Sequence, residues 1–129
     1  MKTLVIGASP NPMRYAYSAV EQLRWKGHEV VAIGHRKGRI EDVDIQLEWP
    51  EEITDLDTIT LYIGPDNQAP VYDRILGYRP RRIIFNPGTE NPVLMRLAAE
   101  AGIEVVRACT LVMLSIGNYD LATDPANPQ

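Results

Sequence analysis

Five short runs of apolar, mostly β-branched residues recur along the chain and alternate with stretches of helical spacing. They are Leu4-Val5-Ile6, Val30-Val31-Ala32-Ile33, Thr58-Ile59-Thr60-Leu61-Tyr62-Ile63, Arg82-Ile83-Ile84-Phe85 and Ile103-Glu104-Val105-Val106. Each has the length of a strand and shows little strict polar–apolar alternation. Strands that read this way are covered on both faces, as in parallel sheets.

The intervening stretches carry helical signals. Ala16, Ala19, Val20 and Leu23 fall at i, i+3, i+4 and i+7 and form one apolar stripe; Gly27 then offers the left-handed position that ends a helix. Asn91-Pro92 opens a second helix. Asn caps, and Pro fits the first helical position, where a missing N–H costs nothing. Val93, Leu94, Leu97, Ala98 and Ala101 form its stripe and Gly102 closes it. A further helix is expected from Asn67 to Leu76, closed by Gly77, with Pro70 in its first turn.

Residues 36–57 are less regular. Ile45-Gln46-Leu47 alternates as a short edge strand does, and Pro50-Glu51-Glu52 reads as a turn or one turn of helix. Leu111-Val112-Met113-Leu114 is too short for periodicity to choose between a helix closed by Gly117 and an extra strand. Repeated strand–helix–strand units imply right-handed crossovers. The expectation is an α/β, Rossmann-like three-layer fold with a mainly parallel five-stranded sheet. A chain of 129 residues suits one domain, placed at 1–117, with 118–129 as a loose tail.

Composition narrows the function. A net charge of −4 argues against nucleic acid or an anionic membrane as partner, though a local basic cluster can still hold a phosphate. One cysteine, Cys109, permits neither an internal disulfide nor a Cys-rich zinc site. The apolar segment after Met1 is too short for a signal peptide or a membrane span, so the expected location is cytoplasmic. His28 and His35 lack metal-ligand spacing, and no nucleophile elbow or Walker loop is present. No general acid, base and nucleophile assemble, so no catalytic residue is assigned. Trp25 and Trp49 read as packing residues.

In sheets of this type ligands bind beyond the carboxyl ends of the strands, where the winding reverses. That directs attention to loops 7–15, 34–39, 64–68, 86–91 and 107–110. The first, Gly7-Ala8-Ser9-Pro10-Asn11-Pro12, is a poor dinucleotide fingerprint: Ser9 and Pro12 stand where glycines belong. Gly7 still allows a tight turn, and the next helix aims its free N–H groups at the loop. The expected donors are the backbones of Ala8, Ser9, Asn11, Met13 and Arg14, the Ser9 hydroxyl and the Arg14 guanidinium. A rigid proline-rich turn without a ligand is the alternative.

The second loop, Gly34-His35-Arg36-Lys37, has bases where NAD-binding domains place an acid, which suits a ligand carrying a phosphate on its ribose. A solvated basic turn is the plainer alternative. Gly64-Pro65 presents a flat backbone to adenine or to the ligand's chain, while Asp66 or Asn67 serves equally as a helix cap. At Asn86-Pro87-Gly88, glycine lets the backbone approach a ligand and Asn86 can bond it; a turn before a capped helix explains the same residues. Cys109 reads as a small buried residue, or as a thiol near a ligand's thiol.

With these residues in view, the chain resembles the CoA-binding domain family. This Rossmann-type domain is found in small stand-alone bacterial proteins and in succinyl-CoA synthetase alpha subunits. The resemblance runs from Lys2 to Cys109. It is carried by Val5-Ile6-Gly7-Ala8-Ser9-Pro10-Asn11-Pro12 with Arg14, by Asn86-Pro87-Gly88-Thr89-Glu90-Asn91, and by the cysteine after the last strand. It implies a coenzyme A site along the carboxyl edge. Gly7 to Asn11 would meet phosphates, the loop after the second strand the adenosine, and Asn86-Pro87-Gly88 the far side. Many members have an Asn-Pro-Lys-like sequence where this chain has Gly34-His35-Arg36-Lys37. The family's synthetases also need a phosphorylatable histidine in a separate domain, so synthetase activity is not implied.

The expected function is therefore a non-catalytic CoA or acyl-CoA binding protein, its partner a small-molecule nucleotide ligand. A homodimer or a partner enzyme is left open. The alternatives are an NADP-binding oxidoreductase-like domain and a protein-interaction module on the same fold.

Overall fold

Seven strands make one sheet: β1 (Lys2–Ala8), β2 (Val30–Gly34), β3 (Arg39–Ile40), β4 (Val43–Gln46), β5 (Leu56–Leu61), β6 (Arg82–Phe85) and β7 (Glu104–Arg107). A computed structural model describes residues 1–120. The strand order is β3-β4-β2-β1-β5-β6-β7, and every pairing is parallel except that of β3 with β4. The helices are α1 (Tyr15–Trp25), α2 (Pro65–Gln68), α3 (Tyr72–Gly77), α4 (Pro92–Glu100) and α5 (Thr110–Ile116), with a 3₁₀ turn at Ala69–Val71.

Alternation along β1 sorts its side chains between two cores. Val5, and Ala8 beyond a register shift after Ile6, join Val20 and Leu23 of α1 and Met113 and Leu114 of α5. Leu4 and Ile6 join Ile75 of α3 and Leu94 and Ala98 of α4 on the other face. Burying each of the Val, Leu, Ile and Met side chains contributes roughly 1.5–3 kcal/mol. The result is the expected α/β, three-layer Rossmann-like architecture. The expected five strands are β1, β2, β5, β6 and β7, and the correction is two more at one edge. β4 contains the alternating Ile45-Gln46. β3 is two residues long and has no period to detect.

Asn91 caps α4 as expected, its Oδ1 accepting from the N–H of Val93 (3.1 Å) and Leu94 (3.3 Å). Gly27 and Gly102 take the left-handed conformation after α1 and α4, and Gly117 after α5, which is therefore a helix. The expected helix from Asn67 to Leu76 is corrected. It starts at Pro65, so Pro70 falls beyond the first turn, where it lacks an N–H, and the helix breaks into α2, the 3₁₀ turn and α3. Gly77 is the last helical residue of α3; Arg79, at φ 52°, takes the left-handed position.

Two residues past Gly117 the chain is still packed. Tyr119 is buried at the amino edge of the sheet, where its hydroxyl shares a 2.7 Å hydrogen bond with Thr3 Oγ1. Arg82, on β6, is fully buried; it donates from Nη2 to the Tyr119 carbonyl (2.6 Å) and from Nε to Thr58 Oγ1 (2.8 Å). Its guanidinium lies 4.5 Å from the centre of the Tyr119 ring. The rest of the expected tail, 121–129, lies outside the described residues. Trp49 does pack, stacked 6.4 Å from Tyr78, but Trp25 is 65% exposed.

Candidate functional site

The chain runs from β1 through α1 to β2 on one side, then returns to the other side of β1 as β5. The winding therefore reverses between β1 and β5. At the carboxyl ends of β1, β2 and β5 lies an open cavity of about 500 Å³.

The first turn forms its floor. Gly7 has φ +97°, and a Cβ there would lie 2.8 Å from the Tyr62 carbonyl oxygen. Only glycine combines that backbone with that approach. The turn after it is closed upon itself. Ser9 Oγ accepts from the Asn11 N–H (3.1 Å), Asn11 Oδ1 from the Met13 N–H (3.0 Å), and the Asn11 carbonyl from the Arg14 N–H (3.0 Å). Three of the expected backbone donors are thus committed, a correction that follows from the local hydrogen-bonding habit of Ser and Asn. Helix α1 begins at Tyr15, with Arg14 as an extended N-cap that gives no side-chain cap. Within the described residues, no acceptor engages the N–H of Ser9, Tyr15 or Ala16. The Ser9 hydroxyl hydrogen also stays available, because its oxygen accepts in the turn.

Gly7, Ala8, Ser9, Asn11 and Arg14 all line this cavity, and His35, Arg36 and Gly64 join them from the other two loops. Arg14, His35, Arg36 and Lys37 are exposed, and none pairs with a carboxylate of the described residues. No Asp or Glu lines the cavity. On a chain of net charge −4, that is a local positive field, reinforced by the open amino end of α1.

The remaining expected residues are not brought to this cavity. Gly34 closes β2, where a Cβ would collide with the Ala8 carbonyl oxygen, and it lines a smaller adjoining cavity instead. Lys37 lines a neighbouring open depression with Arg39 and Asp44. Pro65 is the first residue of α2. Asn86 is 2% exposed and bonds inward, and Pro87 and Gly88 stand beyond it in an exposed turn where the Gly88 N–H donates to Glu90 Oε1 (2.8 Å). Cys109, at the start of α5, is half-buried rather than buried.

Tyr15, Tyr62, Ile63 and Asn67 line the cavity although the sequence does not single them out as ligand contacts. Tyr62 and Ile63 sit inside an apolar run, and nothing local distinguishes them from core. Burial pushes the Tyr62 hydroxyl well above its ordinary range, so it stays protonated. A second, smaller cavity of about 170 Å³ shares Gly7, His35, Ile63 and Asn67 with the first. Ile33, Leu47, Trp49 and Val71 are among its lining residues, with His35 and Asn67 as polar members.

A family model described as CoA binding domain matches residues 1–115. The chain belongs to the CoA binding domain family. Asn86 holds β5 and α5 together beside the cavity. The chain is 50% identical to an uncharacterized protein of known crystal structure, with a TM-score of 0.86 over 92% of this chain and 97% of the other. It is 26% identical to a conserved hypothetical protein from Pyrococcus furiosus, with a TM-score of 0.70 over 84% of this chain and 91% of that one. A protein from Thermus thermophilus shares 20% identity and a TM-score of 0.79 over 92% and 90% of the two chains, a likeness of fold alone. No curated protein matches the sequence. Among the described residues, no helix is long and apolar enough to cross a membrane, and no group of three or more His, Cys, Asp or Glu is placed to hold a metal ion.

Proposed function

We propose that this chain is a non-catalytic CoA or acyl-CoA binding protein that holds its ligand at the carboxyl edge of β1, β2 and β5. One observation carries the reading: a cavity lined by Arg14 and Arg36, open to the amino end of α1, with no carboxylate in its wall. The pyrophosphate meets the N–H groups of Ser9, Tyr15 and Ala16, the Ser9 hydroxyl and the Arg14 fork. The base enters the smaller apolar cavity, and the ribose phosphate faces Arg36, with Lys37 nearby. The cavity wall holds no carboxylate or thiol, and its Tyr62 phenol is held neutral, so binding rather than chemistry is supported. The half-buried free cysteine fits a reducing, cytoplasmic setting. A partner enzyme would use the bound ligand.

A thermal-shift series with CoA, acetyl-CoA, NAD and NADP tests this. A ligand at about one hundred times its Kd stabilises the fold by about 2.7 kcal/mol. A shift with CoA and not with NAD or NADP supports the proposal. A shift with NADP alone assigns the basic second loop to a different cofactor. No shift with any of them favours an interaction module.

A further inference from the structure

Polar groups along the rest of the carboxyl edge turn inward. Asn86 Nδ2 donates to Thr60 Oγ1 (2.6 Å) and to the Leu61 carbonyl (2.8 Å), and its Oδ1 accepts from the Thr110 N–H (2.8 Å). Both its N–H bonds are used. Thr89 Oγ1 donates to the Asn86 carbonyl (2.8 Å). Gln68, fully buried, donates to the carbonyls of Ile63 (2.9 Å) and Thr89 (2.8 Å) and accepts from Asn91 (3.0 Å). The Tyr62 hydroxyl is shut away from solvent. This network ties α2 to the loop after β6 as a braced wall. Asn86, Pro87 and Gly88 contribute nothing to the cavity lining. The open polar groups gather at the other end, on Ser9, Arg14, His35, Arg36 and Asn67.

We infer that the site reads only the nucleotide end of its ligand, and that the sulfur-bearing arm leaves through the open mouth. This rests on the CoA reading above. Telling one acyl group from another requires a walled pocket for the acyl chain or a donor for the thioester carbonyl. Among the described residues the mouth offers no wall for an acyl chain: its rim carries Tyr15, 76% exposed, and Met13, two residues earlier, is 88% exposed. Affinity is therefore indifferent to what the sulfur carries, and the sulfur stays accessible to a second protein.

Competition binding on the full chain tests this with CoA, acetyl-CoA, octanoyl-CoA and adenosine 3′-phosphate 5′-diphosphate, which is CoA without its pantetheine arm. The three thiol or thioester ligands should bind within about threefold of one another, and the armless nucleotide within about tenfold of CoA. A preference of more than about tenfold for one acyl state overturns the inference, as does an armless nucleotide that fails to displace bound CoA. If CoA itself does not bind, the functional reading fails and the inference with it. A second readout follows alkylation of CoA's thiol by the mass of the CoA adduct, so that Cys109 does not contribute. Bound CoA should react within about threefold of the free rate, because thiol reactivity follows access; protection beyond about tenfold overturns the inference.

Discussion

Gly7 carries two constraints at once: φ +97° and a Tyr62 carbonyl 2.8 Å from where a Cβ would stand. Gly7→Ala should cost about 2–4 kcal/mol, from the left-handed backbone and the collision together. Urea denaturation measures it, and an unchanged midpoint would contradict the close approach. Arg14 is the opposite kind of residue, exposed and without a carboxylate partner in the described residues. Arg14→Ala should weaken CoA binding about tenfold, near 1.4 kcal/mol, by removing a charge-assisted bond. Stability should stay within about 0.5 kcal/mol, as for a surface change. Unchanged affinity by calorimetry would remove Arg14 from the site. Both residues could be read in the sequence, because a glycine leaving a strand and a base at a helix start have local meanings. Tyr62 could not, since a wall residue and a core residue look alike inside Thr58-Ile59-Thr60-Leu61-Tyr62-Ile63.

At the scale of elements, Asn86 shows how a plausible ligand group becomes a bracket. It joins β5, through Thr60 and Leu61, to α5, through the Thr110 N–H, while sitting on the strand end between them. Asn86→Ala should cost about 2–4 kcal/mol, because buried partners lose their bonds. The folded variant should keep its affinity for CoA within about threefold. A large loss of affinity at unchanged stability would return Asn86 to the ligand. The hairpin of β3 and β4 is likewise set from outside. Its connecting residues are held by α1, Arg24 Nε donating to Asp42 Oδ1 (2.7 Å) and Trp25 Nε1 to Glu41 Oε1 (3.0 Å). Exposed Trp25 is thus a tether rather than a packing residue. Such bonds span many residues of chain and leave no local pattern to read.

Over the whole molecule, the open carboxyl edge is matched by a locked opposite edge. His28, 5% exposed, meets the terminal amine of Met1 (2.9 Å), Asp120 (3.0 Å) and the edge of the Tyr119 ring (5.0 Å), with Arg82 also near. Burial, and then the terminal ammonium, hold its pKa below the ordinary value against the pull of Asp120. The unfolded chain therefore takes up a proton near pH 6.5, before the folded one does. Stability contributed by neutral His28 is full above about pH 6.5 and is lost as pH falls toward the folded pKa. Denaturation midpoints between about pH 5 and 8 should rise with pH in the wild type and rise less in His28→Gln. Equal slopes would place His28 outside the linkage.

By itself the sequence determined the layers. Hydrophobic period, helix caps and terminal glycines are local, and together they specify a strand–helix alternation that buries both faces of a parallel sheet. It also determined which loops stand at the carboxyl edge, because chain direction follows from the crossovers. The tertiary structure alone decided which residues of those loops line the cavity. It turned Asn86 inward, set Gly34 between the Ala8 carbonyl and the smaller cavity, brought Tyr62 and Asn67 to the larger cavity and seated Tyr119 on Arg82. The physical reason is that a buried polar group must find its partner wherever the fold puts one, and that distance is not written along the chain. For the first turn the division differs: its bonds are local to Ser9, Asn11 and Arg14, while the Tyr62 carbonyl that makes glycine necessary at position 7 was brought there by the fold.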